Sequence, residues 1–386
     1  MTLENKQVSS DPNEKRNLVL ISGYYGFSNL GDEAILEVII DELKRIMPSQ
    51  NIVALSNSPA ETEKTFGIKA ADRWNIGALT KLLPHTKLFI SGGGGLFQDI
   101  VSVKSPFFYG AQILIARALG APVMVFAQGI GPLKTTIGRT ITRLSLARSN
   151  FVAVRDQKSV DLLREWGLAA QLTADPVWAL QAKPLPPILA NALSAKQSNS
   201  PLRVGLSLRV SSNFTVADVE PLARCLAEAL PADAEIVPLV LQPSQDAEIL
   251  KAFSEHWRAL NRRITDLDLS AIERPSQWIT LLKHMDLVIA MRLHCAIMSL
   301  ISAVPTVAIA YDPKVSHIAE QFGLPTLNLA QERPNQAAAQ AWTATVKRAV
   351  DSRKTISKHC AIKARDTRNM ACQNFALLAR ILEKHT

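Results

Sequence analysis

Residues 286–314, DLVIAMRLHCAIMSLISAVPTVAIAYDPK, constrain the fold more than any other part of the 386-residue chain. Leu287, Val288, Ile289 and Ala290 form an apolar run of strand length. A helical pattern follows over 295–302 and is broken at Val304-Pro305. A second apolar run, 306–310, ends at Tyr311-Asp312-Pro313-Lys314. A strand, a helix and a strand in this order need a crossover, which predicts parallel pairing. In open parallel sheets, ligands sit outside the carboxyl ends of the strands. Arg292, His294, Asp312 and Lys314 all fall at such ends, so cations, a proton-transfer group and a carboxylate converge on one edge.

The same unit recurs along the chain. Buried-type strands are expected at 17–22, 51–56, 87–90, 122–128, 151–154 and 171–174, and again at 203–208 and 235–241. Helices are expected at 157–166, 218–230 and 275–283. After the first strand, Gly23, Gly26 and Gly31 allow tight turning and close approach of a ligand, or simply a tight turn. Asn29 or Asp32 is placed to cap the next helix, whose apolar face holds Ile35, Val38, Ile39, Leu43 and Ile46. The spacing is not GxGxxG, and no acidic residue follows a second strand to grip a ribose, which argues against a dinucleotide site. Ser91 is followed by four glycines, Gly92 to Gly95, whose N–H groups suit an anion or a sugar; flexibility is the plainer alternative. Gly23, Gly92, Gly129, Arg155 and Asp175 recur at strand ends, as on one edge of a doubly wound sheet.

A chain of this length predicts two domains. We expect a disordered leader at 1–16, a first Rossmann-like domain at 17–181, a Pro/Ser/Asn-rich linker at 182–201, a second Rossmann-like domain at 202–350 and a basic helical segment at 351–386. That last segment either caps the second domain or crosses back onto the first.

Apolar residues make up 47% of the chain and charged residues 20%, which excludes a disordered protein. The net charge of +9 suits anionic ligands without choosing among nucleic acid, phosphorylated metabolites and an acidic membrane face. Cys225, Cys295, Cys360 and Cys372 have no metal-ligand spacing and read as reduced cytosolic thiols. The polar N-terminus has no signal core, and no apolar run reaches the ~20 residues of a spanning helix.

Eight motifs in order carry a more specific resemblance: GYYGFSNLGDEAIL, SGGGGLFQD, AQGIGPL, VRDQKS, TADPVW, GLSLR, MRLHCAI and AYDPKV. Over about 18–323 the chain resembles the polysaccharide pyruvyl transferase family, and within it the bacterial CsaB-type branch. The resemblance implies an α/β fold of GT-B type, with two Rossmann-like doubly wound domains facing a central cleft. It also implies transfer of the pyruvyl group of phosphoenolpyruvate onto two hydroxyls of one sugar, giving a cyclic ketal and phosphate. The implied acceptor is a cell-surface polysaccharide unit, often an N-acetylmannosamine residue on a lipid carrier. No cofactor, metal or nucleic acid is implied.

The residue types suit that chemistry. Phosphoenolpyruvate carries a carboxylate and a phosphate, which call for fixed cations, and Arg155, Arg209, Arg292 and Lys314 are the set at strand ends. His294 is placed as the general acid for the enol carbon, protonated with help from the substrate phosphate or Asp312. Each has a plain competitor: Arg292 pairing a carboxylate at a helix start, Arg155 pairing Asp156 or Asp175, Asp312 shaping the turn before Pro313. Asn29, Asp32, Gly93, Gly94, Gln98 and Asp99 are the expected acceptor contacts. Trp74, Trp178 or Phe97 is the candidate to stack on a pyranose, though tryptophan in a core is commoner. Cys295 stands where a small residue such as alanine is usual in the family, which leaves room for a different acceptor. Two other classes of function remain open: a nucleotide-sugar glycosyltransferase, and a non-catalytic glycan- or anion-binding protein. Peripheral membrane contact through 353–386 is a further expectation, and no residue pattern bears on oligomeric state.

Overall fold

A computed structural model describes residues 16–100, 103–193, 200–329 and 336–384. The expected leader lies outside these apart from Arg16, as do 194–199 of the expected linker. In chain order the first half runs β1 (Leu18–Ser22), α1 (Leu30–Leu43), β2 (Ile52–Ser56), α2 (Pro59–Phe66), β3 (Lys69–Asp72), α3 (Ile76–Leu82), β4 (Thr86–Ser91), β5 (Gly94–Phe97), α4 (Lys104–Ala118), β6 (Val123–Ile130), α5 (Thr136–Arg148), β7 (Phe151–Val154), α6 (Gln157–Glu165) and β8 (Gln171–Leu172). The second half runs α7 (Pro187–Ala192), β9 (Arg203–Ser207), α8 (Val219–Ala229), β10 (Glu235–Pro238), α9 (Pro243–Ala259), β11 (Arg263–Ile264), α10 (Ser276–Leu282), β12 (Leu287–Ala290), α11 (Leu293–Ile301), β13 (Thr306–Ala310), α12 (Pro313–Phe322), β14 (Thr326–Asn328), α13 (Gln336–Asp351) and α14 (Arg353–Lys384).

Two compact units emerge from these elements. Unit 1 takes the described parts of Met1–Phe27, Val38–Pro176 and Met370–Thr386; unit 2 takes Ser28–Glu37 and the described parts of Val177–Asn369. In unit 1 the strands pair in parallel in the order β3-β2-β1-β4-β6-β7-β8, with β5 added beside β6. In unit 2 the order is β11-β10-β9-β12-β13-β14, again parallel. Each sheet reverses direction at its first strand, beside β1 in one unit and β9 in the other, which makes both doubly wound.

The inner strands are largely apolar because both sheet faces are covered there. Leu20, Phe89, Val123, Val125, Ile113 and Leu146 are buried together in unit 1. Leu206, Leu287, Ile289, Leu226, Phe253 and Trp257 do the same in unit 2.

The expected domains and this division differ at Ser28–Glu37, at 177–181, which group with unit 2, and in the C-terminal segment. Ser28–Glu37 groups with unit 2 because its polar groups are used there. The Leu30 N–H donates to Leu241 O at 3.2 Å. Glu37 is fully buried and accepts from Ser276 N at 2.8 Å, Ser276 Oγ at 2.7 Å and Lys183 Nζ at 2.9 Å. At the other end, Met370 onward groups with unit 1, where Phe375 packs on Phe126 and Asn374 Nδ2 donates to Ala174 O at 3.0 Å. The expected linker also contains a short helix, α7.

Candidate active site

The polar cluster of unit 2 stands where β9 and β12 lie side by side at the reversal of strand order. Arg209 follows β9, while Arg292 and His294 follow β12. Gln245 and Asp246 come from the first turn of α9 after β10. Tyr311, Asp312 and Lys314 follow β13. Parallel pairing of these strands brings their carboxyl ends to one edge, so residues far apart in sequence become neighbours.

Arg292 caps α11 with an extended backbone (φ −80°, ψ 130°), and its guanidinium turns towards Asp246. Its Nε donates to both Asp246 oxygens, at 3.1 and 3.2 Å. Its Nη2 donates to Asp246 Oδ1 and, at 3.4 Å, to Gln245 Oε1. Asp246 is fully buried and also accepts from the N–H groups of Leu241 and Gln242, at 3.1 and 2.9 Å. The carboxylate partner weighed as the plain alternative for Arg292 is therefore real. Among the described residues, however, no protein group accepts from Arg292 Nη1. One edge of the guanidinium is anchored and one donor remains for a ligand.

Arg209 shares Gln245 with Arg292: its Nη2 donates to Gln245 Oε1 at 2.8 Å and its Nη1 to Tyr311 Oη at 3.1 Å. The guanidinium also lies 5.5 Å from the Tyr311 ring centre. Burial pushes the Tyr311 phenol above its ordinary pKa against the opposing pull of Arg209, so it stays a neutral donor–acceptor. Asp312 caps α12, accepting from Lys314 N at 2.8 Å, so it shapes the turn as the plainer reading had it. Lys314 is half-buried in the first turn of α12.

His294 sits half-buried in the first turn of α11, which starts two residues earlier than its apolar pattern predicted. Its imidazole lies against Gly31. A Cβ built on Gly31 would come within 1.8 Å of His294 Nδ1 and 2.4 Å of Cε1. The glycine thus makes room for the histidine. Asn29 and Asp32 flank it: Asn29 Nδ2 donates to Asp32 Oδ2 at 2.6 Å, and the Gly31 N–H donates to Asn29 Oδ1 at 3.3 Å. Gly31→Ala is expected to displace the imidazole by about 1 Å and lower kcat roughly 100-fold. Helix propensity alone favours alanine there by about 1 kcal/mol, so a loss is attributable to the clash. Steady-state kinetics in wild-type and His294→Ala backgrounds check this, since the glycine change should add nothing once the ring is gone.

In unit 1, the reversal of strand order lies between β1 and β4, where both glycine-rich loops emerge. The spaces at Gly23 and Gly92 are filled by Tyr25: a Cβ on either would meet its ring or hydroxyl at 2.3 or 2.1 Å. Gly93 and Gly94 are buried, with Gly94 at φ +99°, and Gln98 is half-buried after β5. Gln128 Nε2 donates to Ser91 Oγ and Gly92 O, both at 2.8 Å, while its buried Oε1 has no hydrogen-bond partner among the described residues. Asp99 is buried and committed to the chain, accepting from Lys134 N, Thr135 N and Thr135 Oγ1 at 2.5, 2.8 and 2.5 Å. Burial pushes its carboxyl up, but these three donors outweigh burial and leave it below the ordinary value. Arg155 forms a buried ion pair with Asp175 at 2.5 Å, and Gly129 leaves room for its guanidinium.

Of the three aromatic candidates, Trp178 and Phe97 are core residues, with Trp178 stacked on Phe322 at 5.1 Å. Trp74 is 58% exposed. Beside it is a residue missed in the sequence: Arg73, buried, donates to Gly23 O and Tyr109 Oη, both at 2.9 Å. The rings of Tyr24, Phe27, Trp74, Phe108 and Tyr109 lie 4.8–5.7 Å from its guanidinium carbon. No local pattern marks Arg73, because its hydrogen-bond partners come from the loop after β1 and from α4. Cys295 is buried, and burial pushes its thiol up to about 12, so it packs as a neutral side chain.

The polysaccharide pyruvyl transferase family model matches residues 29–313. No curated protein matches the sequence significantly. Among solved structures, UDP-GlcNAc 2-epimerase from Neisseria meningitidis bound to UDP-GlcNAc is similar at 12% identity and TM-score 0.60, covering 95% of this chain and 100% of that one. A glycosyltransferase from Rickettsia africae is similar at 12% identity and TM-score 0.57, covering 96% and 98%. Anabaena HepE in complex with UDP and glucose is similar at 13% identity and TM-score 0.53, covering 95% and 97%. These likenesses establish the fold, two Rossmann-like units of the GT-B type. With the family match spanning most of the sequence, the chain belongs to the polysaccharide pyruvyl transferase family.

Proposed function

We propose that the chain transfers the pyruvyl group of phosphoenolpyruvate to two hydroxyls of a sugar in a cell-surface polysaccharide or its precursor, forming a cyclic ketal. The observation carrying this reading is the β9/β12 edge, where His294 is held against Gly31 beside an Arg292 anchored on one side only. Arg209, Arg292 and Lys314 bind the donor's carboxylate and phosphate, with Asp246 and Gln245 holding Arg292 in place; Arg155 supplies a further cation. His294 gives a proton to the enol methylene carbon, which becomes the ketal methyl group. A sugar hydroxyl adds to the electrophilic central carbon, the carbon–oxygen bond to phosphate breaks, and the second hydroxyl closes the ring. Of the two hydroxyl protons released, one restores His294 and the other leaves with phosphate. Asn29, Asp32, Gly93, Gly94 and Gln98 contact the acceptor, and Trp74 stacks on its ring. Asp99 serves instead to hold the start of α5.

The test is phosphate release from phosphoenolpyruvate against a panel of acceptor glycans, with mass spectrometry of the products. A mass gain equal to a pyruvate ketal, dependent on one acceptor, is expected. Turnover of a nucleotide sugar with no phosphate release would make the protein a glycosyltransferase.

A further inference from the structure

From Ile100 to Arg155 the sequence has seven Lys or Arg (Lys104, Arg117, Lys134, Arg139, Arg143, Arg148, Arg155) and no Asp or Glu. These residues include α4 and α5, which pack against each other in unit 1. A Cβ on Gly110 of α4 would come within 2.7 Å of the Ile141 side chain of α5. Both helices are crossovers between neighbouring parallel strands and therefore run the same way. Phe107 precedes Gly110 by one turn and Ile137 precedes Ile141 by one turn, so they stand at the same level. Both face outward, 60% and 63% exposed, and Leu144, one turn beyond Ile141, is 43% exposed. On α5, Arg148 continues the stripe of Ile137, Ile141 and Leu144, while Arg139 and Arg143 border the other side of its exposed surface; all three are exposed and form no ion pair among the described residues. Where the two helices end, a groove of about 750 Å³ opens between Arg117 and Arg148.

We infer that the α4–α5 face docks onto the surface of an anionic lipid bilayer. An exposed apolar stripe bordered by arginines on a helix lying flat matches the acyl boundary and the phosphate layer together. A second copy of this face would meet it with like charge. A nucleic acid backbone would satisfy the arginines and leave Ile137 and Leu144 without partners. Among the described residues no helix is long and apolar enough to cross a membrane, so the contact is one of surface. The basic segment 353–386 is a weaker candidate, because α14 buries Cys360, Ala371, Phe375 and Leu378 in the fold.

The experiment is co-sedimentation of the full chain with phosphatidylcholine vesicles, with and without phosphatidylglycerol. Binding is expected only to the anionic vesicles. Arg139→Gln with Arg143→Gln should weaken it by about fivefold per arginine, more than tenfold together. Ile137→Ser with Leu144→Ser should weaken it at unchanged charge. Lys354→Gln with Lys358→Gln should leave it intact, and melting temperatures report that each variant is folded. The inference is overturned if the wild type ignores anionic vesicles, if neither α5 variant loses binding, or if only the Lys354/Lys358 variant does. Loss in the arginine variant alone, with tighter binding to a DNA or RNA oligomer than to vesicles, would identify a nucleic-acid face instead.

Discussion

Replacing His294 by alanine is expected to cut kcat by 10²–10⁴, the usual contribution of a positioned general acid, and to leave donor affinity nearly unchanged. His294 lies in the first turn of α11, two residues beyond Arg292, with its ring seated over Gly31 rather than sunk in the core. In the proposed reaction donor binding depends on the cations, which alanine at 294 leaves in place. His294→Gln separates chemistry from packing. Glutamine keeps much of the volume and a hydrogen-bonding end but does not deliver a proton at neutral pH. A packing role would be rescued by glutamine, whereas a general acid would not. Turnover in deuterium oxide offers a second readout, because in the proposed reaction a proton delivered by His294 would end in the ketal methyl group. Near-normal activity in the alanine variant would sink the general-acid role.

The fold was legible where local pattern and burial agree. The apolar runs at β12 and β13 and the strand at β7 match the observed bounds, because strands covered on both faces leave an uninterrupted apolar signature. Residues 69–72 escaped notice because β3, at the sheet edge, reads KAAD with exposed ends. The site was legible as a set of strand ends, but not as partnerships. Arg292 finds Asp246 across 46 residues, and His294 meets Gly31 across most of the chain. Glycines flagged for ligand approach turn out to admit side chains: Tyr25 over Gly23 and Gly92, His294 over Gly31. Asp99 shows the same limit. A carboxylate beside a glycine-rich loop suggests a sugar contact, whereas its partners at 134 and 135 are set by packing. The placement of Ser28–Glu37 follows from the buried Glu37, whose partners lie between 183 and 276.

The Asp246–Arg292 pair carries the second large effect, and the two single variants are expected to rank oppositely in two readouts. Asp246→Ala leaves a buried guanidinium with Gln245 as its one remaining acceptor among the described residues, and leaves the N–H groups of Leu241 and Gln242 without a carboxylate. Breaking a buried pair this way costs about 3–5 kcal/mol. For a unit of this size that corresponds to a fall in melting temperature of roughly 10 °C. Arg292→Ala is less damaging to stability, because Asp246 keeps two N–H donors at the start of α9. In donor binding the order reverses. Arg292 supplies the Nη1 donor itself, so its loss should raise the KM for phosphoenolpyruvate more than the loss of Asp246, which only orients the guanidinium. A purely structural Arg292 would give the same order in both readouts, with Asp246→Ala the worse variant in each. Thermal melting and donor KM, measured side by side on the two variants, decide between a cation that holds the fold and one that also holds the substrate.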